Sequence, residues 1–481
     1  MRQVKSQKHF IAGAWHAPKD GRPFDVINPA TEEPCARILL GTAEDVDSAV
    51  RVARQALKGF ARSSVADRIG LLRAVEAIYI KRKPDLAEAM TREMGAPKNF
   101  ALGPQVGTGL AHISRMIRVL ENYPFSMMQG GTEIVREPVG VAGLITPWNW
   151  PSNQIACKVI PALAAGCTMV HKPSELAPLS AIVWAEILEA AGVPPGVYNL
   201  VQGDGATVGR AISAHPGIDL VHFTGSTRAG IAVAQSAATT VKRVALELGG
   251  KSANIVLPDA DLAAAVTANV TKVMGNSGQS CAAPTRLLVP HDQCAEAARI
   301  AAEVADALVL GDPADAATDL GPVANAAQFE KVTRLIRNGI AEGAILACGG
   351  ADRPAHLPRG YFVRPTVFTE VSPGMQIAQE EIFGPVLVII PYANEEEAIA
   401  IANASEYGLA GFVQSGNTDH ARRVALQLEA GRIEINMPAW DDAAPFGGYK
   451  RSGIGREYGK WGLEEFLEVK AVIGGRSEES V

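Results

Sequence analysis

The sequence predicts an α/β fold in which a parallel, doubly wound sheet is followed by a second α/β domain. From about residue 141, short apolar, β-branched runs alternate with Ala-rich stretches of helical length. Alternating βα units place their strands in a parallel sheet covered by helices on both faces. A second series of such units begins near Ser252. At 481 residues the chain also exceeds what one hydrophobic core organises, so two or three domains are expected.

In chain order, Asp45 to Ala61 and Ala66 to Met90 read as amphipathic helices ahead of the first sheet. Val141 to Thr146, Thr168 to His171, Val197 to Val201, Leu220 to Phe223 and Val244 to Leu248 read as its strands. Between them, Asn153 to Ala165, Ala177 to Ala190, Ala206 to Ser213 and Thr227 to Ala237 have helical patterning, with Gly166 and Gly192 as C-terminal caps. Asn254 to Leu257, Arg286 to Val289, Val363 to Phe368 and Val386 to Pro391 are the strands expected of the second domain. Arg476 to Val481 read as a frayed tail.

Composition excludes several classes. With 47% hydrophobic and 20% charged residues the chain is an ordinary globular one. A net charge of −6 argues against a nucleic-acid partner or a basic membrane face. The run Lys81-Arg82-Lys83 reads as a solvated helix face. No apolar run approaches the roughly 18 residues of a membrane span, and the N-terminus lacks a signal-peptide core, so a cytoplasmic location is expected. Six scattered cysteines without a C-x-x-C pair fit reduced thiols, and the histidines lack ligand spacing; no metal is expected.

The most informative feature is the pairing of Cys281, in Ser277-Gly278-Gln279-Ser280-Cys281, with Glu247, in Glu247-Leu248-Gly249-Gly250-Lys251. A thiol among small residues and a carboxylate on a Gly-rich turn are the parts of covalent catalysis followed by hydrolysis: a nucleophile and a base. A lone cysteine is otherwise an inert small hydrophobe.

Other segments support a ligand at the sheet edge. Pro147-Trp148-Asn149-Trp150-Pro151 follows a strand, where open α/β sheets bind ligands, and the Asn149 amide suits a developing oxyanion. Lys172 and Glu175 end the next strand and can meet ribose hydroxyls; a solvated pair is the alternative. Phe223-Thr224-Gly225-Ser226 opens a helix whose amides can approach a pyrophosphate, or forms a plain tight turn. Gly203 to Gly209 is one residue too long for G-x-G-x-x-G. Gly250-Lys251-Ser252 is not a P-loop, since Ala245 stands where its first glycine belongs, and no G-x-S-x-G elbow occurs.

Together and in this order, these motifs resemble the aldehyde dehydrogenase superfamily, from His9-Phe10-Ile11-Ala12-Gly13 to Phe466-Leu467-Glu468-Val469-Lys470. Glu381-Ile382-Phe383-Gly384-Pro385 and Pro445 to Gly453 add to the likeness. The resemblance implies a Rossmann-like cofactor domain (1–120 and 140–248), an α/β catalytic domain (249–450) and a small β extension for oligomerisation (121–139 and 462–481). It implies NAD-dependent oxidation of an aldehyde to its acid, with NADP admitted as a second acceptor, in a homodimer or homotetramer.

By the same resemblance, Cys281 is the nucleophile, Asn149 with the Cys281 amide the oxyanion site, and Glu247 the base of thioester hydrolysis. Lys158 and Glu457 match a proton path. Lys172 and Glu175 match ribose contacts, Ser226 the pyrophosphate contact, and Glu381 and Phe383 the nicotinamide end. Ile145, Thr146, Trp148, Gly205, Gly209, Phe223, Gly225 and Leu248 complete the implied cofactor set. Asn153, Gln154 and Cys157 make the expected substrate tunnel polar, while Trp150, Trp440 and Phe446 are candidates for aromatic walls. A CoA-acylating relative is the near alternative, disfavoured by Glu247; a non-catalytic binding protein is the distant one and needs none of these three groups.

Overall fold

The computed structural model describes residues 5–474. The first sheet has eight strands, of which five are parallel: Tyr198–Leu200, Thr168–Pro173, Val141–Thr146, Leu220–Thr224 and Arg243–Glu247, in that spatial order. The order reverses between Val141–Thr146 and Leu220–Thr224, which creates the crevice where such sheets bind ligands. His9–Ile11 and Ala14–His16 close one edge antiparallel. The other edge is closed by Gly453–Ile454, which pairs with Leu246 and Glu247.

The second sheet runs in the order Ile345–Cys348, Thr366–Thr369, Val386–Tyr392, Arg286–Pro290, Ala253–Val256, Ala410–Gln414 and Arg432–Ile435, parallel except for the first. A third sheet joins Ser126–Gln129, Thr132–Pro138 and Leu467–Ile473 antiparallel.

Several boundaries differ from the sequence reading. The strand expected over Val363 to Phe368 starts at Thr366, after Pro365, whose missing N–H cannot join a ladder. The helix expected over Ala206 to Ser213 opens as a widened turn, Gly205–Gly209, before Arg210–Ala214. Ala191 is the C-terminal cap of Pro178–Ala190, and Gly192 follows it at φ +79°. Val65–Met94 runs past Met90 despite Pro84, capped by Ser64 with Asp67 and stopped by Gly95 at φ +76°. Arg82 is not simply solvated: it pairs with Asp85 at 2.5 Å and Glu186 at 2.6 Å. The tail expected at Arg476 to Val481 lies outside the described residues.

The helix Pro151–Ala165 matters most for the site. All its residues are buried, Pro151 starts it, and Gly166 ends it at φ +90°. Its walls include Trp184 and Tyr79, whose rings sit 5.1 Å apart and whose polar atoms both reach Ser152 Oγ. Burial on every side fixes the helix, and hence Asn153, Cys157 and Lys158, relative to the sheet.

Candidate active site

The turn that leads into Cys281 is held in an unusual backbone. After the helix Leu262–Met274, Asn276, Ser277 and Gly278 take φ of 55°, 54° and 72°. Left-handed non-glycine residues are costly and persist only where surroundings over-determine them. Here Asn276 Nδ2 donates to the main-chain oxygens of Asn149 (2.9 Å) and Gln279 (3.2 Å), and Ser277 Oγ to Gly321 O (2.8 Å). Gln279 returns a bond to Asn276 O and accepts from Ala324 N. A side chain on Gly278 would strike Gly384 O at 1.9 Å, so only glycine fits.

Asn149 is tied to this turn from both sides. Its Nδ2 donates to Gln279 O at 3.0 Å, and its main-chain oxygen also accepts from Gln105 Nε2 at 3.0 Å. The turn carrying Glu247 packs just as closely. A Cβ on Gly250 would lie 2.3 Å from Cys281 O, and one on Gly249 would lie 2.7 Å from Glu381 Oε2. The two glycines after Glu247 are thus what lets the Cys281 backbone and the Glu381 carboxylate reach this turn. Glu381 Oε1 accepts from Gly250 N at 3.1 Å.

Electrostatics follow from burial. The Cys281 thiol is pushed above its usual range by desolvation and by the charges of Glu381, Glu247 and Glu457. Glu247 is 3% exposed, its Oε2 has no partner, and its carboxyl is held well above the ordinary value by burial and then by Glu457; Lys158 and Arg456 oppose the shift. Lys158 Nζ donates to Glu457 Oε1 at 2.7 Å and to Gln154 Oε1 at 3.1 Å. Desolvation works against the Glu457 carboxylate, but Lys158 and His222 outweigh it and hold the group below its usual range.

Opposite the thiol lies an apolar and aromatic wall. Cys281 and Ala282 pack against Cys157, Leu409, Phe446 and Tyr458. Phe446 stacks on Tyr458 at 5.0 Å, and Trp440 meets Tyr458 and His112 edge-on at 6.0 and 5.5 Å. Asn153 pairs with His112 Nε2 at 2.8 Å. Two expected wall residues are otherwise engaged: the Gln154 carbonyl is committed to Lys158, and Trp150 packs on Phe100 and donates to Ser280 Oγ at 2.8 Å.

On the far side, the sheet's carboxyl edge gathers the expected cofactor residues. Lys172 is buried, with Nζ 2.7 Å from Pro173 O and 3.3 Å from Glu175 Oε2. Gly209 sits over the Lys172 stem, and Gly205 starts the widened turn. Gly225 lies against the Phe223 ring, where a Cβ would come within 2.5 Å, and Leu248 packs under Gly230 of the helix that follows. Ser226 caps that helix, Thr227–Ala238, by accepting from Ala229 N at 3.3 Å. Ile145 and Thr146 are buried at the strand end, with Thr146 Oγ1 bonded to His171. Trp148 meets Phe383 edge-on at 5.4 Å, and Phe383 itself takes φ +61°. A helix amino terminus beside small residues, a buried lysine and a carboxylate on the adjoining turn fit a dinucleotide.

The sequence reading does not single out Gln105, Asn276, His222 or Tyr458. His222 alone carried a signal, a histidine inside the apolar run Leu220-Val221-His222-Phe223.

Residues 15–472 match the aldehyde dehydrogenase family. A 3-succinoylsemialdehyde-pyridine dehydrogenase from a Pseudomonas species is 55% identical over 97% of this chain and 98% of its own. Among solved structures, a Cys-to-Ala mutant of aldehyde dehydrogenase C from Pseudomonas syringae, complexed with NAD+ and octanal, superposes with a TM-score of 0.98 at 51% identity, covering 98% of each chain. An NAD+ complex of the Bacillus cereus aldehyde dehydrogenase gives 0.94 at 38% identity, over 98% of this chain and 96% of that one. The chain belongs to the aldehyde dehydrogenase family, and its activity is the oxidation of an aldehyde with NAD.

Proposed function

We propose that Cys281 is the acylated nucleophile and that Glu247 activates the water that releases the acid. The observation that carries this is the packing of Cys281 O against Gly250, three residues after Glu247, while Asn149 is bonded two residues before the thiol. The Cys281 thiol gives up its proton to water as its sulfur adds to the aldehyde carbonyl, and Asn149 Nδ2 with the Cys281 amide receives the oxyanion. Bound NAD supplies the acceptor for the hydride lost when the carbonyl re-forms as a thioester. Glu247 then takes a proton from water as it attacks, and Lys158 with Glu457 carries that proton onward.

Lys172 and Glu175 would hold the ribose, Gly225 and Ser226 the pyrophosphate, and Glu381 with Phe383 and Trp148 the nicotinamide end. The Glu175 carboxylate disfavours a 2′-phosphate, so NAD is preferred over NADP. The substrate we infer is an uncharged aldehyde with an alkyl or aromatic tail. The aromatic wall of Phe446, Tyr458 and Trp440 supports this, as do the octanal and pyridine-bearing aldehyde in the names of two relatives. We further propose the division into cofactor domain, catalytic domain and β extension, a homodimer or homotetramer, and, from six unpaired cysteines, a cytoplasmic location.

Single-turnover kinetics test the chemistry. Cys281→Ala is expected to bind NAD and make no NADH. Glu247→Gln is expected to give the burst and lose steady-state turnover by roughly the 10²–10⁴-fold of a positioned base. Stimulation by CoA with an acyl-CoA product would overturn the hydrolytic reading.

A further inference from the structure

The strand Leu220–Thr224 carries an imidazole at its centre, between Leu144 and Ala245 of the neighbouring strands. Buried parallel strands are ordinarily apolar on both faces. His222 is 1% exposed, and its ring packs on Phe466 with centroids 5.6 Å apart. Its Nε2 lies 3.1 Å from Glu457 Oε1, the oxygen that also accepts from Lys158. The contact is too oblique for a hydrogen bond, and Glu457 Oε2 and both ring nitrogens of His222 have no hydrogen-bond partner, so the pair is joined by the attraction of a polar N–H 3.1 Å from a carboxylate oxygen.

A ring nitrogen this close to a carboxylate oxygen carries the proton, which leaves Nδ1 as a bare acceptor. Protonating Nδ1 would create a buried N–H with nothing to receive it, so the ring stays neutral; burial acts in the same direction. A neutral imidazole in this place does not carry protons along the path. It sets a polar N–H beside a buried carboxylate whose hydrogen-bond donor is Lys158.

We propose that His222 is a positioning residue for deacylation: it holds Glu457 ionised and turned to Lys158, and so sets how readily the proton taken by Glu247 leaves the site. This rests on the reading of Glu247 as the base. Lys158 and Cys157 face the pair from Pro151–Ala165, Glu247 from the neighbouring strand, and His112 from Val106–Leu120. Arg456, Glu465, Tyr458 and Cys281 complete the charged and titratable surroundings. Of these, Lys158 is the cation in contact with Glu457. Losing the neighbouring imidazole N–H therefore raises the pH at which Glu457 takes up a proton.

The test uses the full-length enzyme with NAD, forming acyl-enzyme in a single turnover and following its decay by rapid quench across pH. His222→Leu is expected to move the acid limb of deacylation upward by roughly one pH unit and to slow decay about tenfold below that limb. His222→Gln, which keeps a side-chain donor, should restore most of the wild-type profile. The burst amplitude, aldehyde KM and NAD affinity should be unchanged in both. Superimposable profiles for His222→Leu and wild type would overturn the proposal. So would a proportional loss of burst and NAD binding that Gln does not rescue. If the Leu protein fails to fold, His222→Asn, whose shorter amide falls short of Glu457, takes its place against Gln with the same two outcomes. Glu247→Gln separates the levels: if it still deacylates, the base assignment falls; if it does not and the His222 variants are silent, only the His222 inference falls.

Discussion

Asn149 donates from Nδ2 to the main-chain oxygen of Gln279 at 3.0 Å while its own main-chain oxygen accepts from both Gln105 and Asn276. The amide is thus held in a fixed orientation, and the bond to Gln279 occupies one of its two N–H groups. Preorganised donors of this kind cost about 10²–10³ in kcat when removed. Asn149→Ala is expected to show that loss in the acylation burst with little change in NAD affinity. Asn149→Asp should be worse, because an ionised carboxylate faces the Gln279 carbonyl and repels the oxyanion. An Asn149→Ala enzyme with a wild-type burst would remove Asn149 from the oxyanion site.

Cofactor choice is argued from Lys172 and Glu175. Lys172 is buried, its charge disfavoured by desolvation and supported by Glu175. Glu175→Gln removes the negative charge that opposes a 2′-phosphate. The expected outcome is a gain in kcat/KM for NADP of about tenfold, the size of one modest charge interaction near a protein surface, with a loss for NAD. Equal discrimination in wild type and variant, measured by NADH and NADPH absorbance, would show that selectivity lies elsewhere.

What the sequence revealed and what it concealed have physical reasons. The βα alternation from Val141 to Glu247 was legible because each parallel strand is a short apolar run between helices with recognisable caps such as Gly166. Cys281, Glu247 and Asn149 stood out because they sit in Gly-rich and Pro-rich turns, and close approach of Gly250 to Cys281 O explains those glycines. Long-range closure was not legible. Gly453–Ile454 pairs with the first sheet across about two hundred residues, and Gln105 and Asn276 meet at Asn149 only after three elements are packed. His222 was hidden because its partner, Glu457, lies far along the chain.

Assembly is testable at the third sheet. In Leu467–Ile473 the first residue is buried, whereas Val469 and Ile473, on the same alternating face, are 67% and 82% exposed. The opposite edge strand, Ser126–Gln129, exposes Met127 and Met128. Among the described residues both edges lack a strand partner, and exposed edges bearing apolar side chains favour pairing with another chain. Wild-type protein at micromolar concentration should scatter light as a dimer or tetramer, and Val469→Lys with Ile473→Lys should lower that mass. A wild-type monomer would contradict the assembly.

A pH dependence of stability is expected from Glu93, at the end of Val65–Met94. It is 1% exposed and accepts from Leu179 N (2.5 Å), Ser180 N (3.1 Å) and Ser180 Oγ (2.5 Å), capping the helix Pro178–Ala190 from outside. Burial outweighs these bonds and pushes its carboxyl up to about 7. A folded value above the unfolded one means the group stabilises the fold fully below the unfolded value of about 4.3, and that this contribution is lost as pH rises through the folded one. At about 1.4 kcal/mol per pH unit the loss is at most about 4 kcal/mol. The melting temperature of wild type relative to Glu93→Gln should therefore fall between pH 5 and pH 8, since Gln keeps an acceptor without ionising. A relative melting temperature that rises over this range would mean that the two backbone N–H groups and the helix terminus outweigh burial, and that the cap works as a carboxylate.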